Sequence, residues 1–308
     1  MSGIHPTLRA AIRSTTIQPA PGISRRLGRS VTLVSEVDQI TGSFKLRAAY
    51  NVAATVESDH LIAASSGNFG QALAYACKVL GKRATIVMPE NSARVKIDAV
   101  RSHGATAELI DTTVISRADR VAQLAAAYPG AHVASAYNDP LVIAGNSTLG
   151  EEIAGLDVVA VVVPVGGGGL SAGVITGLCR VGSTIAVFGA EPAMADDAAR
   201  SLAAGVLLRN EHEPQTIADG ARTVSLGVHN WAVIQPGIAG ILRVSEADIE
   251  MGVRLLAADG VRVEPTGALA VGALLRSTLP AGPVACVLSG GNVDEAVYRR
   301  ILDSNTGS

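Results

Sequence analysis

The sequence predicts an α/β protein with two domains, each a doubly wound, open parallel sheet. Short apolar segments rich in β-branched residues alternate with segments of helical periodicity, which is the pattern of repeated strand–helix units. The apolar segments lack strict polar alternation, as expected for parallel strands that are covered on both faces. The predicted strands are 60–64, 84–88, 106–110, 131–136, 157–163, 184–190 and 283–288.

Helices are predicted between these strands from the spacing of apolar residues. A helix is predicted over 68–80, where apolar residues recur on one helical face, and Gly81 follows as its C-terminal cap. The same spacing predicts a helix over 117–128. A further helix over 170–180 follows a run of four glycines.

The length of 308 residues exceeds one average domain, so the chain is divided into two. Boundaries are expected near 50–59 and near 137–145. Residues 56–140 would then form a small inserted domain. The flanking stretches, 1–55 and 141–308, would form one large domain.

Composition excludes several functional classes. The formal net charge is −2 and no basic run occurs, so no binding to nucleic acid is expected. The three cysteines stand far apart, which favours neither a disulfide framework nor a CxxC metal site. The longest apolar run, 158–165, is too short to cross a bilayer, and no signal peptide is visible. We therefore expect a cytoplasmic protein with no membrane partner.

The turn "SSGNFGQALA", residues 65–74, follows the strand 60–64. In open α/β sheets ligands bind beyond the carboxyl ends of strands, so this turn is a candidate site. Backbone N–H groups at a strand–helix junction can bind an anion, and Ser65, Ser66 and Asn68 add donors. Ordinary helix capping by serine and asparagine explains the same residues.

The run "GGGGL", residues 166–170, follows another buried strand. Four glycines let the backbone wrap closely around a phosphate at a helix N-terminus. Gly167, Gly169 and Ala172 also fit G-x-G-x-x-A, and Glu191 ends the next strand 19 residues beyond Ala172. This is the dinucleotide fingerprint, so an NAD-binding Rossmann protein is a rival interpretation.

Two further segments complete the candidate site. The turn "SGGN", residues 289–292, follows the strand 283–288, and its serine also suits a helix cap. The segment "SFK" places Lys45 directly after Phe44. A lone lysine is usually solvated, whereas a lysine in an apolar setting has a lowered pKa and can attack a carbonyl.

Five motifs occur in order across nearly the whole chain, namely "TGSFKLRAA", "SSGNFGQALA", "GGGGL", "EPTGA" and "SGGN". In these motifs the sequence resembles the fold-type II pyridoxal-phosphate enzymes, specifically the serine/threonine dehydratase and serine racemase branch. The resemblance implies a tryptophan synthase β-like fold and pyridoxal 5'-phosphate as cofactor, bound by the large domain. It also implies a homodimer.

The resemblance assigns a role to each motif. Lys45 would form the Schiff base with the cofactor and take the α-proton of the substrate, while Ser66 would face it across the substrate plane. Phe44 would pack against the cofactor ring, Asn68 would bind the ring oxygen, and Ser289 would face the ring nitrogen. The expected cofactor-binding residues are Phe44, Lys45, Asn68, Gly166, Gly167, Gly168, Gly169, Leu170 and Ser289. The expected ligands of the substrate carboxylate are Ser65, Ser66, Gly67 and Asn68.

A serine at position 289 affects the expected reaction. A carboxylate there would keep the ring nitrogen protonated and strengthen the electron sink, whereas a serine hydroxyl stays neutral. Elimination of a β-substituent needs less stabilisation of a carbanion than other reactions do. We therefore expect an ammonia-lyase acting on a β-hydroxy amino acid such as L-threonine or L-serine, with a 2-oxo acid and ammonia as products.

A metal site is also implied by the resemblance. Glu191, Ala195 and Asp197 occupy positions that bind a divalent cation in the racemase and its dehydratase relatives. Two carboxylates and a carbonyl oxygen suit Mg²⁺, Mn²⁺ or Ca²⁺. An ordinary helix start with aspartate in its first turn explains the same residues.

Two positions depart from the family pattern. Phe69 replaces the usual histidine, and Ala48 replaces the usual glycine. Phe69 makes the site more apolar, so we expect a preference for a β-substituent bulkier or less polar than that of serine. Racemisation of serine, with Ser66 protonating the opposite face, and cysteine synthase-like β-replacement remain alternatives. A catalytically inactive binding protein is a further alternative, against which the intact Lys45 argues.

Overall fold

The computed structural model describes residues 3–276 and 278–304. Within these residues the strands are β1 (Thr16–Pro19), β2 (Val31–Ser35), β3 (His60–Ala64), β4 (Arg83–Pro89), β5 (Thr106–Ile110), β6 (His132–Val133), β7 (Ala160–Pro164), β8 (Ala186–Pro192), β9 (Gly240–Val244) and β10 (Val284–Leu288). The α-helices are α1 (Leu8–Ala11), α2 (Pro21–Leu27), α3 (Lys45–Thr55), α4 (Asn68–Val79), α5 (Arg94–Ser102), α6 (Arg117–Ala127), α7 (Pro140–Ile153), α8 (Gly169–Arg180), α9 (Asp197–Ala204), α10 (Val228–Gly237), α11 (Glu246–Ala258), α12 (Pro265–Leu274) and α13 (Glu295–Asp303).

The strands form two sheets, which confirms the predicted fold class. The larger sheet has the order β1-β2-β10-β7-β8-β9, and all its pairings are parallel except that of β1 with β2. The smaller sheet has the order β5-β4-β3-β6 and is entirely parallel. Helices pack against both sheets, as parallel strands require.

All seven predicted strands are present, but three strands of the described residues were not predicted. The segments 60–64 and 106–110 match β3 and β5, whereas the predicted strand 131–136 is reduced to the two residues of β6. The unpredicted strands are β1, β2 and β9. Both β1 and β9 lie at edges of the larger sheet, where a short strand needs no continuous apolar run.

The predicted helices are found with small shifts at their ends. The prediction over 68–80 corresponds to α4, and those over 117–128 and 170–180 correspond to α6 and α8. Gly81 follows α4 with φ of +69°, the left-handed conformation that commonly ends a helix. The prediction of a glycine cap is therefore confirmed.

Four consecutive strands of the chain, β3 to β6, build the smaller sheet. Helix α3 precedes them in the chain and contributes Leu46 and Val52 to the core that also contains Leu61 and Leu73. Helix α3 therefore packs against the core of the smaller sheet, while the exact domain boundaries stay a prediction.

No helix in the described ranges combines the length and apolarity needed to span a bilayer.

Candidate active site

Lys45 is the first residue of α3 and lies among apolar groups. Its Nζ donates a hydrogen bond to the main-chain oxygen of Ala136 at 2.9 Å. The ring centroids of Phe44 and Phe69 lie 5.0 and 5.8 Å from the same nitrogen. Burial lowers the pKa of Lys45 from 10.5 to about 8, and the nearby Glu264 carboxyl opposes part of this shift. More of the amine is therefore neutral than in a surface lysine, which suits a nucleophile.

The turn after β10 holds the Lys45 segment in place. The N–H of Phe44 donates to the main-chain oxygen of Ser289 at 3.0 Å, and Ser43 pairs with Gly290 in an isolated antiparallel bridge. A Cβ added to Gly290 would lie 2.8 Å from the Ser43 Cβ, so only glycine allows this approach. Two segments that are far apart in the sequence thus meet at the carboxyl end of a central strand.

The hydroxyl of Ser289 is buried and unpaired. The residue is only 2% exposed, and its Oγ has no hydrogen-bond partner among the described residues. Buried hydroxyls in native proteins are nearly always paired, so an unpaired one calls for a ligand or a water. A ring nitrogen would satisfy this hydroxyl.

The glycine run forms an open cradle between β7 and α8. Gly168 has φ of +87° and turns the chain into the helix. From Gly166 to Leu170, none of the five backbone N–H groups donates to an acceptor within residues 3–276 and 278–304. All but Gly166 are buried residues. Buried, unpaired N–H groups at a helix N-terminus are the arrangement that binds phosphate.

Tyr137 packs on this cradle. A Cβ added to Gly167 would lie 2.3 Å from the Tyr137 ring, so the ring packs directly on the loop backbone. Asn230 Nδ2 donates to the main-chain oxygens of Gly167 at 2.6 Å and of Tyr137 at 3.1 Å. Since Tyr137 follows Ala136, one short segment contacts both the glycine run and Lys45.

The residues of the turn after β3 differ in their contacts with the rest of the protein. Ser65 Oγ accepts hydrogen bonds from the N–H groups of Gly67 and Gly70 at 3.3 and 3.0 Å, so this hydroxyl already shapes the turn. Gly67 faces open space, because an added Cβ would meet no atom within 4 Å. Asn68 begins α4 and donates through Nδ2 to both oxygens of Glu264.

A cavity of about 550 Å³ lies beside Ser66 and is mostly polar. Three cationic side chains line it, those of Lys96, Arg117 and Arg222, against one acidic side chain, Glu213. Lys96 pairs with Asp219 at 2.8 Å and Arg117 with Glu213 at 3.5 Å. The cavity therefore has an excess of positive charge next to Ser66, which is predicted to bind the substrate carboxylate.

Several residues of the site were missed by sequence reasoning. Glu264 and Asn292 belong to the quoted motifs "EPTGA" and "SGGN", but neither was assigned a role. Tyr137 and Asn230 lie outside every motif. A sequence signal existed only for the first two, because both belong to motifs that carry the family resemblance.

The predicted metal ligands form a separate buried cluster. Both oxygens of Glu191 accept hydrogen bonds from backbone N–H groups at the start of α9, at 3.2 and 2.7 Å. Asp197 accepts from Asn210 Nδ2 and from the N–H of Leu226, each at 3.0 Å. Burial raises the pKa of Glu191 to about 8 and that of Asp197 to about 6. Ala195 is buried beside them.

Two observations bear on whether Glu191 binds a metal ion or the ribose of a dinucleotide. Across residues 3–276 and 278–304, His, Cys, Asp and Glu side chains form no group of three or more placed to hold a metal ion. The predicted set has only two carboxylates and a carbonyl, so it stays a prediction. A ribose partner in a dinucleotide site must be accessible, whereas Glu191 is 1% exposed and engaged with α9. The geometry therefore disfavours the dinucleotide interpretation.

Unpaired N–H groups at a helix start fit an anion, and a lysine amine with a lowered pKa fits a carbonyl. A phosphorylated aldehyde carries both groups, so the fold and the site define an enzyme of the pyridoxal-phosphate type. The chain belongs to the family described as pyridoxal-phosphate dependent enzyme, whose sequence profile matches residues 8–290.

Curated relatives and a solved structure agree with this family. L-threo-3-hydroxyaspartate ammonia-lyase of Saccharomyces cerevisiae is 35% identical over 306 residues, covering 96% of this chain and 93% of the relative. Serine racemase of Homo sapiens is 34% identical over 305 residues, covering 94% and 89%. The crystal structure of a threonine deaminase from T.th. has a TM-score of 0.86 and 39% identity, covering 94% of this chain and 99% of that one.

Proposed function

We propose that this protein is a pyridoxal-phosphate dependent ammonia-lyase that eliminates the β-hydroxyl of L-threonine or L-serine, releasing a 2-oxo acid and ammonia. The observation that carries the proposal is the buried, neutral and unpaired hydroxyl of Ser289 in the same site as Lys45. A neutral partner of the ring nitrogen favours elimination, which needs less carbanion stabilisation. The likeness to a threonine deaminase supports the same substrate class.

The residues of the site fit the cofactor. The N–H groups from Gly166 to Leu170 would hold its phosphate, Asn68 its ring oxygen and Ser289 its ring nitrogen. Phe44 would pack on the ring. When bound, pyridoxal phosphate supplies an electron sink for the bond that breaks at the α-carbon of the substrate.

The protein itself supplies the base. Lys45 Nζ takes the α-proton, and burial keeps its pKa near neutral so that the amine accepts and returns protons readily. The Ala136 carbonyl holds Nζ in place at 2.9 Å. Ser66, the Gly67 backbone and Asn68 would bind the substrate carboxylate. Ser65 would contribute through its main chain as well as by shaping the turn, since its hydroxyl is occupied by Gly67 and Gly70.

A second candidate substrate is an amino acid with an acidic β-carbon substituent. The cationic lining of the cavity next to Ser66, from Lys96, Arg117 and Arg222, favours a negatively charged side chain. The yeast relative is named for L-threo-3-hydroxyaspartate, which has such a side chain. The apolar Phe69 favours the opposite choice, a bulkier and less polar substituent.

A panel of substrates tests the proposal. The purified protein is supplied with L-serine, L-threonine, L-threo-3-hydroxyaspartate and a β-aryl serine, and 2-oxo acid, ammonia and the D-isomer are measured. We expect 2-oxo acid and ammonia in equal amounts from L-threonine or L-serine. The D-isomer as main product would identify a racemase acting through Ser66. Turnover only with added sulfide and an activated serine would identify a β-replacement enzyme.

We also propose a divalent cation, Mg²⁺, Mn²⁺ or Ca²⁺, at Glu191, Ala195 and Asp197. The two buried carboxylates of this cluster accept hydrogen bonds from backbone and amide N–H groups, and hard oxygen ligands suit these ions. Added cation should raise the melting temperature of the wild type but not of Glu191→Gln. A cytoplasmic homodimer stays the prediction for location and assembly.

A further inference from the structure

Four groups form a hydrogen-bonded chain, from Thr41 through Asn292 and Asn68 to Glu264. Asn292 Nδ2 donates to the main-chain oxygen of Thr41 at 2.9 Å and to Asn68 Oδ1 at 2.8 Å. A main-chain oxygen can only accept, so this contact fixes which end of the Asn292 amide is the nitrogen. The Asn68 oxygen must then be the acceptor from Asn292.

The other end of the chain is the carboxyl of Glu264. It accepts from Asn68 Nδ2 at 2.9 and 3.1 Å through its two oxygens. Glu264 stands at the N-cap position of α12, but its side chain makes no capping bond and points to Asn68 instead. A Cβ added to Gly290 would lie 2.8 Å from Glu264 Oε1, so the turn after β10 leaves room for this carboxyl only because it has glycine there.

Glu264 is 5% exposed and has three charged neighbours on different elements. Burial raises its pKa to about 8, Asp219 raises it further, and Lys96 and Lys45 oppose the shift. The coupling is mutual, because Glu264 in turn raises the pKa of Lys45 against the effect of burial. The carboxyl thus interacts electrostatically with Lys45 of α3, Lys96 of α5 and Asp219.

We propose that Glu264 is a positioning residue with two effects, which rest on the proposed placement of the cofactor. It holds the Asn68 amide so that a nitrogen hydrogen, and not the oxygen, is left for the ring oxygen of the cofactor. In its ionised form the same carboxyl also stabilises the positive form of the Lys45 amine. The structure separates the effect on the Asn68 amide from the effect on the Lys45 charge. Asn292 is uncharged and hydrogen-bonds the Asn68 amide, so it contributes only to the first effect.

The first experiment measures the charge effect in the full chain freed of cofactor. The sequence has four lysines, at 45, 78, 82 and 96, so lysine-selective ¹³C NMR gives few signals, and Lys45→Ala assigns the one of interest. Glu264→Gln keeps the size of the side chain and an acceptor for Asn68 while removing the charge. We expect it to lower the pKa of Lys45 by about half a unit or more.

Matched variants separate this effect from a general loss of structure. Glu250→Gln removes an ion-paired carboxylate on α11 and should leave the Lys45 titration unchanged. Asn292→Ala should also leave that titration unchanged, but it should weaken cofactor binding by up to about tenfold, the value of one neutral hydrogen bond. Far-ultraviolet circular dichroism confirms that each variant is folded.

The second experiment measures the effect of the Asn68 amide on cofactor binding. Equilibrium titration with pyridoxal phosphate should give Glu264→Gln a dissociation constant close to that of the wild type, and Glu264→Ala one about tenfold higher, because alanine removes the acceptor. The inference is overturned if Glu264→Gln leaves the Lys45 titration unchanged, or if Glu264→Ala binds the cofactor as the wild type does. Neither readout needs a substrate, so failure of the proposed lyase activity would not affect them.

Discussion

The first turn of α3 contains Lys45 and Arg47, and a buried polar cluster surrounds each of these two residues. The Arg47 guanidinium is fully buried and fully paired. It donates to both oxygens of Glu36 at 2.8 and 2.9 Å, to Glu152 and Thr15 at 2.7 Å, and to Thr148 at 2.9 Å. These pairs join the residue after β2 to α3 and α7. Burial lowers the pKa of Arg47, but Glu36 and Glu152 outweigh this effect and raise the pKa above its ordinary value.

The Lys45 cluster has the opposite character. Ser289 Oγ has no partner in the described part of the chain, and neither do the hydroxyls of Thr41 and Ser43 nearby. The N–H groups of residues 166–170 are also unpaired. The guanidinium of Arg47 is thus satisfied within the protein, whereas the Ser289 hydroxyl and the N–H groups of residues 166–170 are left open for a ligand.

The largest effect that tests this contrast is expected at Arg47. Arg47→Met leaves the buried Glu36 carboxylate without its partner, which should cost about 3–5 kcal/mol of the free energy of unfolding. Urea unfolding of the variant measures the loss. Arg299→Ala, which removes an exposed ion pair with Glu295, should cost well under about 1 kcal/mol. Equal losses in the two variants would contradict a structural role for Arg47.

The next effect is expected at Gly167. Alanine there places a methyl group 2.3 Å from the Tyr137 ring and forces the glycine run outward. Overpacking of this kind costs about 1–3 kcal/mol, so cofactor affinity should fall by roughly tenfold to a hundredfold. Titration with pyridoxal phosphate measures it. Gly130→Ala, at a site where an added Cβ meets no atom within 4 Å, should bind the cofactor as the wild type does.

A smaller effect is expected at Ser289, and it should appear only with the cofactor. Ser289→Ala removes a hydroxyl that has no partner in the described structure, so the chain without cofactor should lose almost no stability. Turnover should fall by up to about tenfold, the value of one neutral hydrogen bond. Ser147→Ala removes a hydroxyl paired with Ala144 and should show the reverse pattern. A large loss of stability in the cofactor-free Ser289 variant would argue against an open site.

The smallest effect is a pH dependence of cofactor capture. We expect capture of the cofactor aldehyde to require the neutral amine of Lys45. Because burial lowers the pKa of Lys45 to about 8, the rate of association should rise from pH 7 and level off above pH 8. A solvated lysine would keep gaining reactivity until about pH 10.4. Stopped-flow absorbance of the full chain mixed with pyridoxal phosphate gives this profile. A continued rise through pH 9 and 10 would exclude a buried amine.

The sequence contained enough information to predict the two parallel sheets and the motif residues, because both depend on local patterns. Continuous apolar runs indicate buried parallel strands, and glycine and serine at strand ends mark ligand-binding turns. Strand β6 was overestimated because the apolar segment 131–136 continues past the two residues that pair with β3.

The contacts between distant segments could not be predicted. Arg47 follows Lys45 closely in the sequence, yet its partners Glu36 and Glu152 are 11 and 105 residues away. Asn68 and Glu264 are 196 residues apart, and one sequence carries no record of that pairing. Residue type alone therefore did not separate the lysine that we propose as the nucleophile from an arginine that pairs within the fold.

The most direct test of the role of Lys45 is the release of 2-oxo acid from L-threonine by the wild type and by Lys45→Ala, with the visible absorption band of the bound cofactor recorded alongside. We expect 2-oxo acid and ammonia in equal amounts from the wild type. We expect neither product nor the visible band from the variant, because no other group can replace the nucleophile. Undiminished release of 2-oxo acid by Lys45→Ala would contradict the central role of this lysine.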